Sequence, residues 1–225
     1  MRIPLYSKFI GGRNIKELIS TIKNNSNYNY LSIIDYSKEN AKNKNDILKS
    51  TDMLYNISKN SILKSYKLSY ALKLSSYGTT ENLLNIINKL NENSNTNDIF
   101  LDAENSSQSK LENKSYSKII TSYNTNQIFK TYQMYKKDSL NELQYDLNTF
   151  ENFGIKLVRG AYYKTDYKSN LLFDNINDTH DNYNEAVKLI IYEINKNPNR
   201  LKLLIATHNK ESIIKALELK PNKNN

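Results

Sequence analysis

Short apolar runs alternate along the chain with longer polar stretches in which apolar residues recur at helical spacing. Leu31-Ser-Ile-Ile-Asp-Tyr36 predicts a first strand, Tyr70-Ala-Leu-Lys-Leu74 a second and Asp98-Ile-Phe-Leu-Asp102 a third. Gln127-Ile-Phe-Lys-Thr-Tyr132, Gly154-Ile-Lys-Leu-Val158 and Leu201-Lys-Leu-Leu-Ile205 predict three more. Most are short, apolar and bounded by polar residues or glycine, as buried parallel strands are. Between them Glu81–Leu90 spaces its apolar residues at i, i+3 and i+4, and Asp138–Leu147 does the same, with Asp138 and Ser139 as candidate N-caps. Thr179–Ile194 carries Tyr183, Ala186, Val187 and Ile190 on one helical face, and Glu211–Leu217 follows the sixth strand. The asparagine-rich stretches Asn40–Asn45 and Asn91–Asp98 and the tail Pro221–Asn225 read as loops or frayed ends. Strand and helix thus alternate at steps of roughly 30 to 40 residues, which predicts a parallel sheet with helices outside it. An open doubly wound sheet and a β/α barrel both fit this order.

In parallel α/β folds the chemistry gathers at the carboxyl ends of the strands. Here those ends carry Asp35 and Tyr36; Lys73 and Ser75; Asp102, Ala103 and Glu104; Gln133, Met134 and Tyr135; Lys156 running into Arg159-Gly160-Ala161-Tyr162-Tyr163; and Thr207, His208 and Asn209. A single lysine or aspartate at such a place is ordinarily a rim residue in a salt bridge. Polar groups at every one of six strand ends are harder to assign to the rim alone. Lys73 and Lys156 must be paired or must face a ligand if they are buried, because an unpaired buried charge is costly. Asp102 and Glu104 stand two apart on one strand, so they share a face and do not oppose each other as a glycosidase pair would. No G-x-G-x-x-G turn follows a strand and no G-x-S-x-G elbow is present, so neither a Rossmann site nor a serine hydrolase is supported.

Composition narrows the chemistry further. The chain has 225 residues and no cysteine, which excludes disulfides, thiolate metal sites and a cysteine nucleophile. Its two histidines, His180 and His208, lie far apart, so no zinc site is expected. The formal charge is +9, but the lysines are scattered among acids and asparagines. A solvated surface fits this pattern better than a nucleic-acid or anionic-lipid footprint. No apolar run is long enough to span a bilayer. Met1–Gly12 has neither the apolar core of a secretory signal nor an Arg- and Ser-rich presequence.

Lys156-Leu-Val-Arg-Gly-Ala-Tyr-Tyr163 resembles the K/R-L-V-K/R-G-A-Y signature of the proline dehydrogenase (proline oxidase) family, most of all its eukaryotic mitochondrial branch. Other segments agree in order. They are Leu5-Tyr-Ser-Lys-Phe9 with Gly11-Gly12, Ile34-Asp-Tyr-Ser37 with Glu39, Leu101-Asp-Ala-Glu104, Thr131-Tyr-Gln-Met-Tyr135, Asp178–Asn184 and Ala206-Thr-His-Asn209. In the first of these Arg13 stands where the family pattern has an acid. The resemblance covers almost the whole chain. It implies one domain over residues 1–225, an α/β fold of the (β/α)8 TIM-like barrel type, with FAD held non-covalently. It also implies L-proline as substrate, hydride transfer from its C5 to flavin N5, Δ1-pyrroline-5-carboxylate as product, and a membrane quinone as electron acceptor in proline catabolism. Mitochondrial location and inner-membrane association follow from the same resemblance, and no nucleic-acid partner is expected.

The residue roles implied by the resemblance are specific. Asp102 and Lys156 are the catalytic pair, Lys156 beside flavin N5 and Asp102 holding a neighbouring cation. Lys73 contacts the proline carboxylate, and Tyr162 flanks the substrate. Ala103, Gln133, Arg159, Gly160, Ala161 and Tyr163 line the cofactor, Gln133 at the ring edge, and His208 lies near its nucleotide portion. The family also has two further strands and a last helix with paired arginines that grip the carboxylate. Here about six β/α units are legible, the arginines are Arg2, Arg13, Arg159 and Arg200, and no Arg-Arg pair occurs. The expectation is therefore an incomplete barrel, poorly active or inactive alone. An inactive fragment or non-catalytic flavin-binding relative is the alternative, and a basic binding protein on nucleic acid or anionic lipid is opposed by the ordered strand-end motifs.

Overall fold

The computed structural model describes residues 10–36, 44–92 and 96–220. Among them the elements run α1 (Ile15–Asn27), β1 (Ser32–Asp35), α2 (Lys44–Lys59), β2 (Leu68–Lys73), α3 (Leu74–Tyr77), α4 (Thr80–Asn91), β3 (Thr96–Asp102), α5 (Ser109–Tyr123), β4 (Ile128–Gln133), α6 (Ser139–Thr149), β5 (Phe153–Val158), α7 (Tyr163–Asp166), α8 (Ile176–Lys196), β6 (Leu201–Ile205) and α9 (Lys210–Leu219). The strands follow one another in chain order in a parallel sheet. All six predicted strands are present, with shifts of one or two residues at most ends. The N-terminal motif Leu5–Phe9, Ser37 and Glu39 of the first-strand motif, and the tail Pro221–Asn225 lie outside the described residues.

The predicted loops are shorter than the asparagine runs suggest. Asn45 lies inside α2, Asn91 closes α4, and β3 begins at Thr96. Polar composition does not prevent an element whose other residues are buried. Helices α1, α2 and α5 do not stand out in the hydrophobic periodicity of the sequence. For α2 and α5 the buried faces supply the reason. In α2 that face includes Ser50, Thr51 and Ser58 beside Leu54 and Ile57, and in α5 it begins with Glu112 and Ser115 before Tyr116, Ile119 and Ile120. A stripe made partly of polar residues carries little hydrophobic periodicity.

The chain divides into two compact units, Met1–Ile99 and Phe100–Asn225, with β3 crossing the division. In the first, β1 pairs with β2 in parallel, Ile34 opposite Tyr70. Thr79 caps α4 by accepting the Asn82 N–H at 3.2 Å. That helix buries Leu83, Ile86, Ile87 and Leu90 completely. Each such side chain contributes about 1.5–3 kcal/mol. Helix α1 starts with a reciprocal cap: Asn14 Oδ1 accepts from Glu17 N–H, and Glu17 Oε2 accepts from Arg13 N–H.

In the second unit β4 pairs with β5, and β5 with β6, all in parallel. Phe129 lies opposite Gly154, and a Cβ added at Gly154 would stand 2.4 Å from the Phe129 ring. The glycine therefore gives the ring its place. Helices α5, α6 and α8 pack on the strands. Helices α8 and α9 are capped by Asn175, which accepts from Asn177 N–H, and Asn209, which accepts from Ser212 N–H. Asp138 precedes α6 but makes no side-chain cap bond, because its backbone (φ −91°, ψ 0°) is not in the extended region a capping residue needs. Ser139 instead donates its hydroxyl to Lys136 O at 2.7 Å.

Candidate active site

The pleat of β4 sorts its side chains to two faces. Lys130 and Tyr132 point towards α6, where the Lys130 Nζ lies 2.6 Å from Asp146 Oδ2 and 2.8 Å from Glu142 Oε1, and the Tyr132 hydroxyl donates to the same Asp146 oxygen at 2.6 Å. Thr131 and Gln133 occupy the other face. Register places Thr131 beside Lys156 of β5. There the Lys156 ammonium meets the Asp102 carboxylate from the end of β3, Nζ to Oδ1 2.6 Å, and the Thr131 hydroxyl donates to the same oxygen at 3.2 Å. The Lys156 charge also lies 5.7 Å from the Phe100 ring centroid. Lys156 and Asp102 retain side-chain exposures of 16% and 15%, so the pair is shielded yet reachable.

Beyond Asp102 the chain leaves the strand, and Glu104 lies in the loop. Gln133 is buried; its amide nitrogen donates to Glu104 O at 2.7 Å, and its amide oxygen accepts from Ala161 N–H at 3.5 Å. One side chain thereby ties the loop after β3 to the loop after β5. Tyr135 extends this connection. Its hydroxyl donates to the buried Asp166 carboxylate at 2.8 Å, which also accepts from Ser106 N–H at 2.8 Å. The ring lies against Gly160, whose φ of +143° and lack of a side chain are both required, since a Cβ there would sit 2.5 Å from the ring.

Arg159 is held in a separate polar group. Its guanidinium donates to His180 Nδ1 (2.8 Å), Thr207 Oγ1 (2.7 Å) and Ser212 Oγ (2.9 Å), and lies 4.5 Å from the Tyr183 ring centroid. Ser212 passes its own hydroxyl hydrogen to Asn184 Oδ1 at 2.7 Å. Because His180 Nδ1 accepts, its ring proton resides on Nε2. Burial pulls the Arg159 pKa down, and Tyr183 and Glu211 oppose that shift.

Ala103 and Tyr162 are half-buried near these strand ends, while Ala161, Tyr163 and His208 are exposed. Tyr163 pairs with Tyr167, ring centroids 5.4 Å apart. Lys73 belongs to the first unit, half-buried at the end of β2 and preceding α3. The structure thus joins Asp102 with Lys156, and Gln133 with Ala161. Thr131, Tyr135, Asp166, His180 and Glu112 were not predicted as site residues. The T-Y-Q-x-Y and D-T-H segments pointed at three of them, whereas Asp166 and Glu112 carry no local signal. No group of His, Cys, Asp or Glu among the described residues is arranged to hold a metal ion.

Glu112, on α5, is buried and accepts the Glu104 N–H at 3.0 Å. Burial foremost, then the facing Glu104 carboxylate, push its carboxyl up to about 8, with the Glu104 N–H and Lys136 pulling down and Glu142 pushing up. The folded protein therefore binds a proton that the unfolded chain releases near 4.5. This contribution to stability is whole below about 4.5 and is lost as pH rises through about 8. The slope in that window is roughly 1.4 kcal/mol per pH unit. Glu112→Gln cannot ionise, so its melting temperature relative to the parent is expected to climb across that window and then level off. A difference that stays flat with pH refutes the assignment.

A family model described as proline dehydrogenase matches residues 18–225. The chain belongs to the proline dehydrogenase family. Among curated relatives, "Proline dehydrogenase 1, mitochondrial" of Dictyostelium discoideum is 36% identical over 99 residues, covering 38% of this chain and 17% of the relative. Hydroxyproline dehydrogenase of Xenopus laevis is 34% identical over 101 residues, covering 40% of this chain and 22% of the relative. Proline utilization A (PutA) from Bdellovibrio bacteriovorus, in a structure inactivated by N-propargylglycine, superposes with a TM-score of 0.75 at 15% identity, over 94% of this chain and 26% of that one. A Bradyrhizobium japonicum PutA mutant gives 0.70 at 16% identity, over 84% and 22%. The chain thus spans about a fifth of these two curated relatives and about a quarter of these PutA chains. The shared fold is the parallel, TIM-like β/α fold expected of the family.

Proposed function

We propose that this chain carries the redox half of a proline dehydrogenase site: FAD-dependent oxidation of L-proline to Δ1-pyrroline-5-carboxylate. The observation that carries the reading is the shielded Asp102–Lys156 pair at the ends of β3 and β5. A flavin fits this donor set, because a shielded but reachable ammonium near a strand end suits a ring system that becomes anionic on reduction. When bound, FAD supplies the hydride-accepting chemistry. The chain's own groups supply position and field. Lys156 places positive charge where negative charge develops, and Asp102 with Thr131 fixes the direction of its stem. Gln133 holds the two flanking loops in register, and Arg159, with Ala103, Gly160, Ala161 and Tyr163, forms the cofactor side of the site. Tyr162 borders the substrate, Lys73 receives its carboxylate, and His208 lies towards the nucleotide. The reading includes a single barrel domain, a quinone acceptor, a role in proline catabolism and a mitochondrial location with contact at the inner membrane. No described helix is long and apolar enough to cross a membrane.

The test is a titration of the purified chain with FAD, followed by anaerobic addition of L-proline or hydroxyproline. Retention of a yellow, protein-bound flavin that either imino acid bleaches, more slowly than in a complete barrel, is the expected result. Retention without bleaching identifies a flavin-binding relative without turnover. No retention at all sinks the reading.

A further inference from the structure

The Asp102–Lys156 distance depends on where the backbone leaves β3, and the ladder that would hold it stops at Asp102. Side chains take over from the ladder. The Tyr116 hydroxyl donates to Asp102 O at 2.8 Å, Glu112 Oε1 accepts from Glu104 N–H at 3.0 Å, and Gln133 Nε2 donates to Glu104 O at 2.7 Å. Glu112 and Tyr116 stand four apart on α5, on one helical face, and both are buried, at 3% and 1% exposure. We propose that Glu112 and Tyr116 are positioning residues that fix the backbone from Asp102 to Glu104 and so set the reach of the Asp102 carboxylate to Lys156.

Two bonds from one helix span a three-residue segment, so α5 constrains both its ends at once. A buried backbone N–H without a partner is costly, and Glu112 is the partner that Glu104 N–H has. The acid acts through its carbonyl oxygen, so a neutral acceptor of the same shape serves equally. The raised Glu112 pKa is consistent with that neutral form. The importance of this clamp for turnover rests on the proposed redox role of Asp102 and Lys156; the clamp itself is measurable in the chain without flavin.

The test uses the full chain. Amide exchange reads Glu104, and a 13C-methyl label on the lysines, with the Lys156 signal assigned by its loss in Lys156→Arg, reads the ion pair. Asp102→Asn supplies the position of an unpaired Lys156. Glu112→Leu is expected to speed Glu104 exchange about tenfold, the effect of one buried hydrogen bond, and to move the Lys156 signal towards the Asp102→Asn position. Glu112→Gln is expected to restore both at neutral pH. Tyr116→Phe is expected to move Lys156 in the same direction with little effect on Glu104. The proposal is overturned if Glu112→Leu leaves both readouts unchanged, or if Glu112→Gln disturbs them as much as leucine does. Should the leucine variant not fold, an unmoved Lys156 signal in Tyr116→Phe overturns it. An FAD titration of the parent chain keeps the two ideas separate: failure to bind flavin removes the redox reading and leaves these readouts to decide the clamp.

Discussion

Replacing Lys156 by Met is expected to slow L-proline reduction of bound FAD by about 100- to 1000-fold, the scale seen when one preorganised charge or donor is removed from a reacting centre. Methionine keeps the bulk of the stem and removes the ammonium. Asp102 loses its partner at 2.6 Å and keeps only the longer bond from Thr131 among the contacts described above. Because both side chains keep some contact with water, the stability loss should be small, about 1–2 kcal/mol. Rate and stability are thereby separable. Adding Asp102→Asn should recover much of the stability and none of the rate. Anaerobic stopped-flow reduction and thermal melts measure the two quantities. Parent-like reduction in Lys156→Met would remove Lys156 from the redox centre.

The largest effect on stability is expected at a different lysine. Lys130 is buried between β4 and α6, its side chain 3% exposed and that of Asp146 4%. Lys130→Met would leave the Asp146 carboxylate in the interior with, among the described residues, the Tyr132 hydroxyl at 2.6 Å as its remaining donor, close to a second acid in Glu142. Burial first, then Asp146, already hold the Tyr132 hydroxyl well above its ordinary pKa, so it donates a hydrogen bond and does not share the charge. The expected cost is about 3–5 kcal/mol, the range for breaking a buried pair by removing one member. Lys130→Met with Asp146→Leu removes both charges and should recover most of it. Urea unfolding midpoints compare the two. Equal losses in the single and double variants would show that the two charges are not coupled.

These two lysines show how far local sequence reaches. Both stand in short apolar runs that are plainly strands, and the motif around Lys156 marks it as a candidate site residue. Sequence does not say which face of the sheet each occupies. Register does: Thr131 opposite Lys156 puts those two on one face and leaves Lys130 for α6. A hydrophobic stripe makes α4 legible, because Leu83, Ile86, Ile87 and Leu90 are all apolar and all buried. The same rule loses α5, because its buried face begins with Glu112 and Ser115. At Glu112 the helix exchanges apolar packing for a hydrogen bond to the loop that follows β3.

The sequence by itself determined the β/α order, six strands to within a residue or two, and the family, because alternation and strand-end motifs are local properties. It also nominated Asp102 and Lys156 as candidate site residues. Tertiary structure alone decided their partners. Asp102 and Lys156 are 54 positions apart, Arg159 and His180 are 21 apart, and Tyr135 and Asp166 are 31 apart. Pairing over such separations depends on strand register and on loops whose backbone is held by side chains from other elements, and no run of neighbouring residues encodes that.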